Sequence, residues 1–258
     1  MTARTRRLAA ALAMAAIALP GAARAAEALV AVSANFAEVA RTLKPQFEAA
    51  TDHELTLTVG ATGTLYAQVR KGAPYDVLLA ADQKRPAKLE AAGEIVPGSR
   101  FTYAVGRLSL WSPEPERIGD APLDALTADD VEHLAIANPK LAPYGRAAKR
   151  TLKHFGLWKR LSEKIVMGQN VGQTFSMVAT GNAQLGLVAT SYALNAEKHQ
   201  PASRWDVPAS AHAPIRQDAV RLRHGADNPA AGAFLSYLRS KDARTIIRRF
   251  GYRTGGNS

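Results

Sequence analysis

Short apolar runs alternate with amphipathic stretches along most of this chain. Leu29 to Val32 predicts a buried strand, and Phe36, Val39, Ala40, Leu43 and Phe47 then recur at helical spacing. Pro45 falls inside that pattern and predicts a kink or a frayed last turn. Leu55 to Val59 reads as a second strand. A helix from about Thr62 buries Leu65 and Val69 and stops at Gly72, and Val77 to Ala80 is a third strand. This β-α-β-α-β opening predicts a parallel sheet with helices on its faces. Tyr103 to Trp111 predicts one long strand. Leu134 to Ala137, a helix from Gly145, Ile165 to Met167, a helix over Val171 to Thr180 and Leu185 to Ala189 then make a second α/β set. Asn195 to Arg204 is polar and predicts no element. Ala219 to Leu222 is a late strand, Asn228-Pro229 caps a helix, and a last helix carries Ile246, Ile247 and Phe250.

The first residues break this rhythm. Arg4, Arg6 and Arg7 precede an uncharged apolar run from Leu8 to Pro20, and Ala23-Arg24-Ala25 follows as a small-x-small site. These are the three regions of a secretory signal peptide, so 1–25 is expected to be removed between Ala25 and Ala26. The apolar run falls short of the roughly 20 residues of a spanning helix. Removal from the 258 residues leaves 233, enough for two lobes with separate cores. The segment takes four arginines and no acid with it, so the formal charge of +11 becomes +7. A basic surface concentrates anions. The basic residues are scattered rather than striped, and with export this argues against nucleic acid. The chain has no cysteine, which excludes thiol catalysis and cysteine metal sites.

Four strand-to-helix junctions share small or hydroxyl residues: Ser33-Ala34-Asn35, Gly60-Ala61-Thr62-Gly63-Thr64, Ala142-Pro143-Tyr144-Gly145 and Asn170-Val171-Gly172-Gln173. A helix start exposes unpaired N–H groups and the positive end of the dipole, and small residues let an anion reach them. Any one such junction is also what a plain helix cap looks like. Several converging from two lobes would make a site of donors only, which suits a fully ionised oxyanion. Phosphate carrying a proton would need an acceptor, and no Asp or Glu lies at the junctions. Asp76 and Asp82, which flank a buried strand, are expected to cap loops. Arg146, one residue past Gly145, fits either a solvated helix face or a role in steering the anion. The six histidines show no paired ligand spacing, so no cation site is expected, and there is no G-x-S-x-G, Walker loop or H-E-x-x-H.

Val32-Ser33-Ala34-Asn35-Phe36, Gly72-Ala73-Pro74-Tyr75-Asp76-Val77, Ala80-Ala81-Asp82, Ile136-Ala137-Asn138-Pro139 with Ala142-Pro143-Tyr144-Gly145, Val171-Gly172-Gln173 and Gly186-Leu187-Val188-Ala189 occur in this order. Together they resemble the periplasmic molybdate-binding proteins of molybdate ABC importers, from about Leu29 to Tyr252. The resemblance implies a type II periplasmic-binding fold, with two α/β lobes, each a mostly parallel sheet flanked by helices, around a cleft. It also implies a bound, dehydrated molybdate or tungstate held by neutral donors. Carried over by motif, the binding residues are Ala34, Asn35, Thr62, Tyr144 and Val171. Asn35 and Thr62 are expected to donate through backbone and side chain, the others through backbone N–H. Many relatives have a hydroxyl residue near Ala34 and Ser-Ser at Ala61-Thr62, and some use a tyrosine at the position of Ala189. Here those contacts are reduced.

The expected organisation is lobe 1 over 26–107 and 212–254, lobe 2 over 108–211, and a disordered tail at 255–258. Lobe closure is expected about two crossing strands, near Arg107 to Trp111 and Ile215 to Val220. The expected protein is a periplasmic, non-catalytic, monomeric binding subunit without cofactor that delivers its anion to an integral-membrane ABC permease. A sulfate or other oxyanion binder is the rival within the class. A secreted α/β hydrolase is the rival outside it, and a ligand-sensing regulatory domain is opposed by the export signal.

Overall fold

The structure, a computed structural model, describes residues 25–254; the expected tail and all of the expected leader except Ala25 lie outside them. The chain begins with β1 (Glu27–Ser33), α1 (Ala37–Thr51), β2 (Glu54–Gly60), α2 (Thr62–Arg70), β3 (Val77–Leu79), α3 (Lys84–Ala91) and β4 (Phe101–Gly106). It continues through β5 (Leu108–Ser112), α4 (Pro122–Ala125), β6 (Leu134–Ala137), α5 (Pro143–His154), α6 (Trp158–Leu161) and β7 (Ile165–Gly168). Then come α7 (Val171–Ala179), β8 (Leu185–Ala189), α8 (Thr190–Ala196) and β9 (Ser203–Asp206), and finally β10 (Ile215–Arg221), α9 (Pro229–Leu238) and α10 (Lys241–Arg249).

The strands form two five-stranded sheets, ordered β2-β1-β3-β10-β4 and β7-β6-β8-β5-β9. In the first, β1 is parallel to β2 and β3, and β10 runs antiparallel to β3 and β4. In the second, β6 is parallel to β7 and β8, and β5 runs antiparallel to β8 and β9. Each sheet is covered on both faces, which is why its central strands read as continuous apolar runs. Alternate residues supply the two layers. Val30, Val32 and Leu79 pack under α1, α9 and α10 with Phe47, Phe234 and Ile247, while Ala31 and Leu78 face α2 and α3 with Leu65, Val69 and Leu89. In the second sheet Leu134 and Ile136 join Tyr144, Ala148 and Leu152, and Ala135 joins Trp111 and Val178 on the other face.

Several local expectations change. The single strand expected from Tyr103 to Trp111 is two: β4 ends at Gly106 in the first sheet and β5 begins at Leu108 in the second. Arg107 is therefore the first crossing. The second crossing is 207–214, not the expected Ile215 to Val220, which lies wholly within β10. Helix α1 runs six residues past Pro45 to Thr51, because Leu43 and Phe47 on either side are anchored in the core. Helix α3 was not expected, and the polar stretch from Asn195 holds the end of α8 and the start of β9. No helix among the described residues is long and apolar enough to cross a membrane.

Candidate functional site

The four junctions lie at the carboxyl ends of β1, β2, β6 and β7, the edge at which open parallel sheets present ligands. Direct contacts draw them together. The Ser33 and Thr62 hydroxyls are 2.6 Å apart, joining the first two. The Gly63 N–H donates to the Leu141 carbonyl at 2.9 Å, so the start of α2 touches the loop before α5. The Tyr192 hydroxyl of α8 donates to the Ala34 carbonyl at 2.6 Å. Ala34 shares an apolar cluster with Tyr144 and Val171, so the second sheet's core reaches across to the first. Ala34, Asn35, Thr62, Tyr144 and Val171 are all buried.

The helix starts leave specific donors over. At α7 the Asn170 side chain accepts from Gly172 and Gln173, which leaves the Val171 N–H. At α5 Pro143 brings no N–H to the first position, and Tyr144 is the first donor. At α2 the Gly63 and Leu65 N–H groups are used and that of Thr62 is not. Among the described residues the N–H groups of Asn35, Thr62, Tyr144 and Val171 have no acceptor. First-turn N–H groups are the donors a helix leaves unpaired, so a set of them drawn from both sheets can receive an acceptor-rich ligand. One hydroxyl adds to them. The Ala81 N–H donates to Ser33 Oγ at 3.0 Å and to Thr62 Oγ1 at 3.1 Å, and one of those two hydroxyls must donate to the other. The second proton is left for a ligand.

Behind this edge lies a fully buried polar layer. Asn35 Nδ2 donates to Gln217 Oε1 at 2.8 Å and to Tyr252 Oη at 3.1 Å, so the side-chain donors expected of Asn35 are spent and its backbone remains. Tyr252 Oη donates to the Asn35 carbonyl at 2.5 Å, and Ser191 Oγ donates to the same oxygen at 3.1 Å. Tyr103 Oη donates to Gln217 Oε1 at 3.1 Å. Burial pushes the phenol of Tyr252 up to about 12 and raises those of Tyr103 and Tyr144 well above their usual range, so all three are neutral donors.

Comparison with known proteins fits this geometry. The profile of the bacterial extracellular solute-binding protein family matches residues 28–253. The chain belongs to that family. It is 47% identical to the molybdate-binding protein ModA of Azotobacter vinelandii over 90% of this chain and 91% of that protein. It is 44% identical to ModA of Rhodobacter capsulatus over 92% of each. The solved periplasmic molybdate-binding protein of Azotobacter vinelandii superposes with a TM-score of 0.85 at 38% identity, over 89% of this chain and all of that one.

In this solute-binding protein the charges sit beside the donor cluster rather than in it. Asp82 accepts from Arg85 Nη1 and from Arg146 Nη2, both at 2.6 Å, so Arg146 ties the second sheet's α5 to the first sheet. That contact gives Arg146 a bridging role beside the two expected of it. Asp82 also caps α3 through the Arg85 N–H at 3.0 Å, as expected of a loop cap, whereas Asp76 accepts from the Leu29 N–H of β1 at 2.7 Å and so ties its loop to that strand. A cavity of about 240 Å³ on the seam carries Lys84, Arg146, Arg150 and Arg216. No cluster of metal-ligating side chains occurs among the described residues. The junction spacing pointed to Ser33 without giving it a role. Gln217, Ser191 and Tyr252 left no sequence signal, since each reaches Asn35 from more than 150 residues away.

Proposed function

We propose that this protein captures molybdate, with tungstate as a near-isosteric second ligand, and delivers it to an integral-membrane ABC permease. The proposed shell is the backbone N–H of Ala34, Asn35, Thr62, Tyr144 and Val171 plus the free proton of the Ser33–Thr62 hydroxyl pair. The observation that carries the reading is the set of four helix-start N–H groups without acceptors among the described residues, on buried residues contributed by both sheets. The names of the relatives from Azotobacter vinelandii and Rhodobacter capsulatus support molybdate as the ligand. A tetrahedral dianion has acceptors only, and helix dipoles favour its charge without a cation. Asp82, the carboxylate lining the seam cavity, is already engaged by two guanidinium groups.

The same reading takes 1–25 as a leader cleaved after Ala25, with the mature protein free and monomeric in the periplasm. It divides the mature chain into lobe 1 (26–107 and 212–254) and lobe 2 (108–211). The membership of β4 and β10 in one sheet and β5 and β9 in the other supports that division. Selectivity over sulfate is a matter of size: the smaller anion makes stretched bonds that weaken quickly with distance.

Titration calorimetry with molybdate, tungstate, sulfate and phosphate tests the reading. Tight sulfate binding with none for molybdate would overturn it. Thr62→Val is expected to weaken molybdate binding by about 1–3 kcal/mol, the cost of losing a charge-assisted donor. Unchanged affinity would remove the Thr62 hydroxyl from the shell and leave only its N–H.

A further inference from the structure

Tyr144 belongs to α5 and packs in the second sheet's core, but its hydroxyl ends against the first sheet. There it meets Gly106, the last residue of β4 and the neighbour of the crossing at Arg107. A Cβ on Gly106 would lie 2.1 Å from Tyr144 Oη and 2.7 Å from Gln217 Nε2, closer than real atoms approach. Gly106 is not among the glycines with positive φ, so its backbone would accept any residue. What the position requires is space. Gln217 sits beside it on β10, where the register with β4 shifts between Gln217 and Asp218, and such a bulge re-aims a side chain. Its Nε2 lies 3.5 Å from Tyr144 Oη, while its Oε1 accepts from Asn35 and Tyr103. One amide thus touches a residue of the third helix start and a residue of the first.

We propose that bare Gly106 is the seat into which Tyr144 drops when the lobes close, and that Gln217 is the positioning residue that links a seated Tyr144 to Asn35. Neither Gly106 nor Gln217 contacts the ligand. The inference rests on the reading of the cleft as the ligand site. Arg107 and 207–214 are the two crossings, and the seat lies next to the first and within a few residues of the second. A side chain at 106 therefore acts as a wedge close to the axis of rotation, where a small obstruction holds the far ends of the lobes well apart. Closure and completion of the donor shell are then one event: the contact that stops the rotation also touches the amide that holds Asn35.

The test is Gly106→Ala. The chain has no cysteine, so Lys88→Cys and Lys140→Cys, at exposed positions lining one groove on the seam, take one spin label each. Pulsed dipolar spectroscopy then reads the inter-lobe distance with and without molybdate, and calorimetry reads affinity. Gly106→Ala is expected to stay folded, keep the longer distance with molybdate present and bind about tenfold or more weakly, in proportion to the lost closed population. Adding Tyr144→Phe removes the atom at 2.1 Å and leaves the ring carbon at 3.0 Å, and part of both the short distance and the affinity is expected to return. Wild-type closure and affinity in Gly106→Ala would overturn the proposal, and so would a defect left undiminished once the hydroxyl is gone. A wild-type protein that binds no oxyanion would sink the functional reading instead, and the ligand-free distance distributions of wild type and Gly106→Ala would still judge the seat.

Discussion

The phenols of Tyr103, Tyr144 and Tyr252 have no ready way to ionise inside the protein, because burial opposes the charged form. In the unfolded chain each titrates near its ordinary value of 10.0. A raised folded value means the folded state favours the proton. The stabilisation is complete below pH 10 and is lost as pH rises through the folded value, which for Tyr252 is about 12. The midpoint of thermal unfolding is expected to hold steady up to about pH 9 and to fall steeply from pH 10 to 12. Tyr252→Phe is expected to make that fall shallower while costing about 1 kcal/mol at neutral pH through the lost bond to Asn35. A melting curve indifferent to pH above 10 would contradict the assignment. Single residues were legible where chemistry and chain position coincide. Thr62 announces itself as a hydroxyl at a helix start, whereas Gln217 looks like any polar residue of a strand until the fold carries it 182 positions back to Asn35.

Helix starts carry this site, so a cap matters twice. Asn170 accepts from both Gly172 and Gln173 and so fixes the orientation of the Val171 N–H. Asn170→Ala is expected to cost about 0.5–2 kcal/mol in urea unfolding, the ordinary value of an N-cap. It is also expected to weaken molybdate binding, since the freed N–H groups no longer hold the first turn in one direction. Loss of stability with undiminished affinity would show that α7 positions nothing. The periodic elements were readable because their apolar faces are wide, as in α1 with Val39, Leu43 and Phe47. Helix α3 was not, since among its eight residues only Pro86 and Leu89 are buried. The break at Arg107 was hidden for a different reason. Gly106 and Leu108 are both buried, and an apolar run does not say which sheet it enters.

Over the whole molecule the positive charge is spread widely, and part of it borders the seam between the sheets. Lys84, Lys88, Lys140, Arg150 and Arg216 line two cavities there and form no ion pair among the described residues, while Arg85 and Arg146 are tied to Asp82. Such a field draws a dianion in without binding it. Stopped-flow association with molybdate is expected to slow as ionic strength rises, with release changing less, and Lys84→Gln with Arg216→Gln is expected to flatten that dependence. Salt-independent association would deny the seam a steering role. The order of strands has a further consequence, for folding. Leu79 pairs with Ala219, so the first sheet cannot be completed until 140 more residues have been made, and every strand of the second sheet lies between them. Ser109 pairs with Asp206, so the inserted segment begins and ends side by side and closes its own sheet with shorter loops. Nearer contacts form at lower entropic cost. The lobe made later in the chain is thus the one able to mature first, and the older strands wait, unpaired along one edge, for the return of the chain.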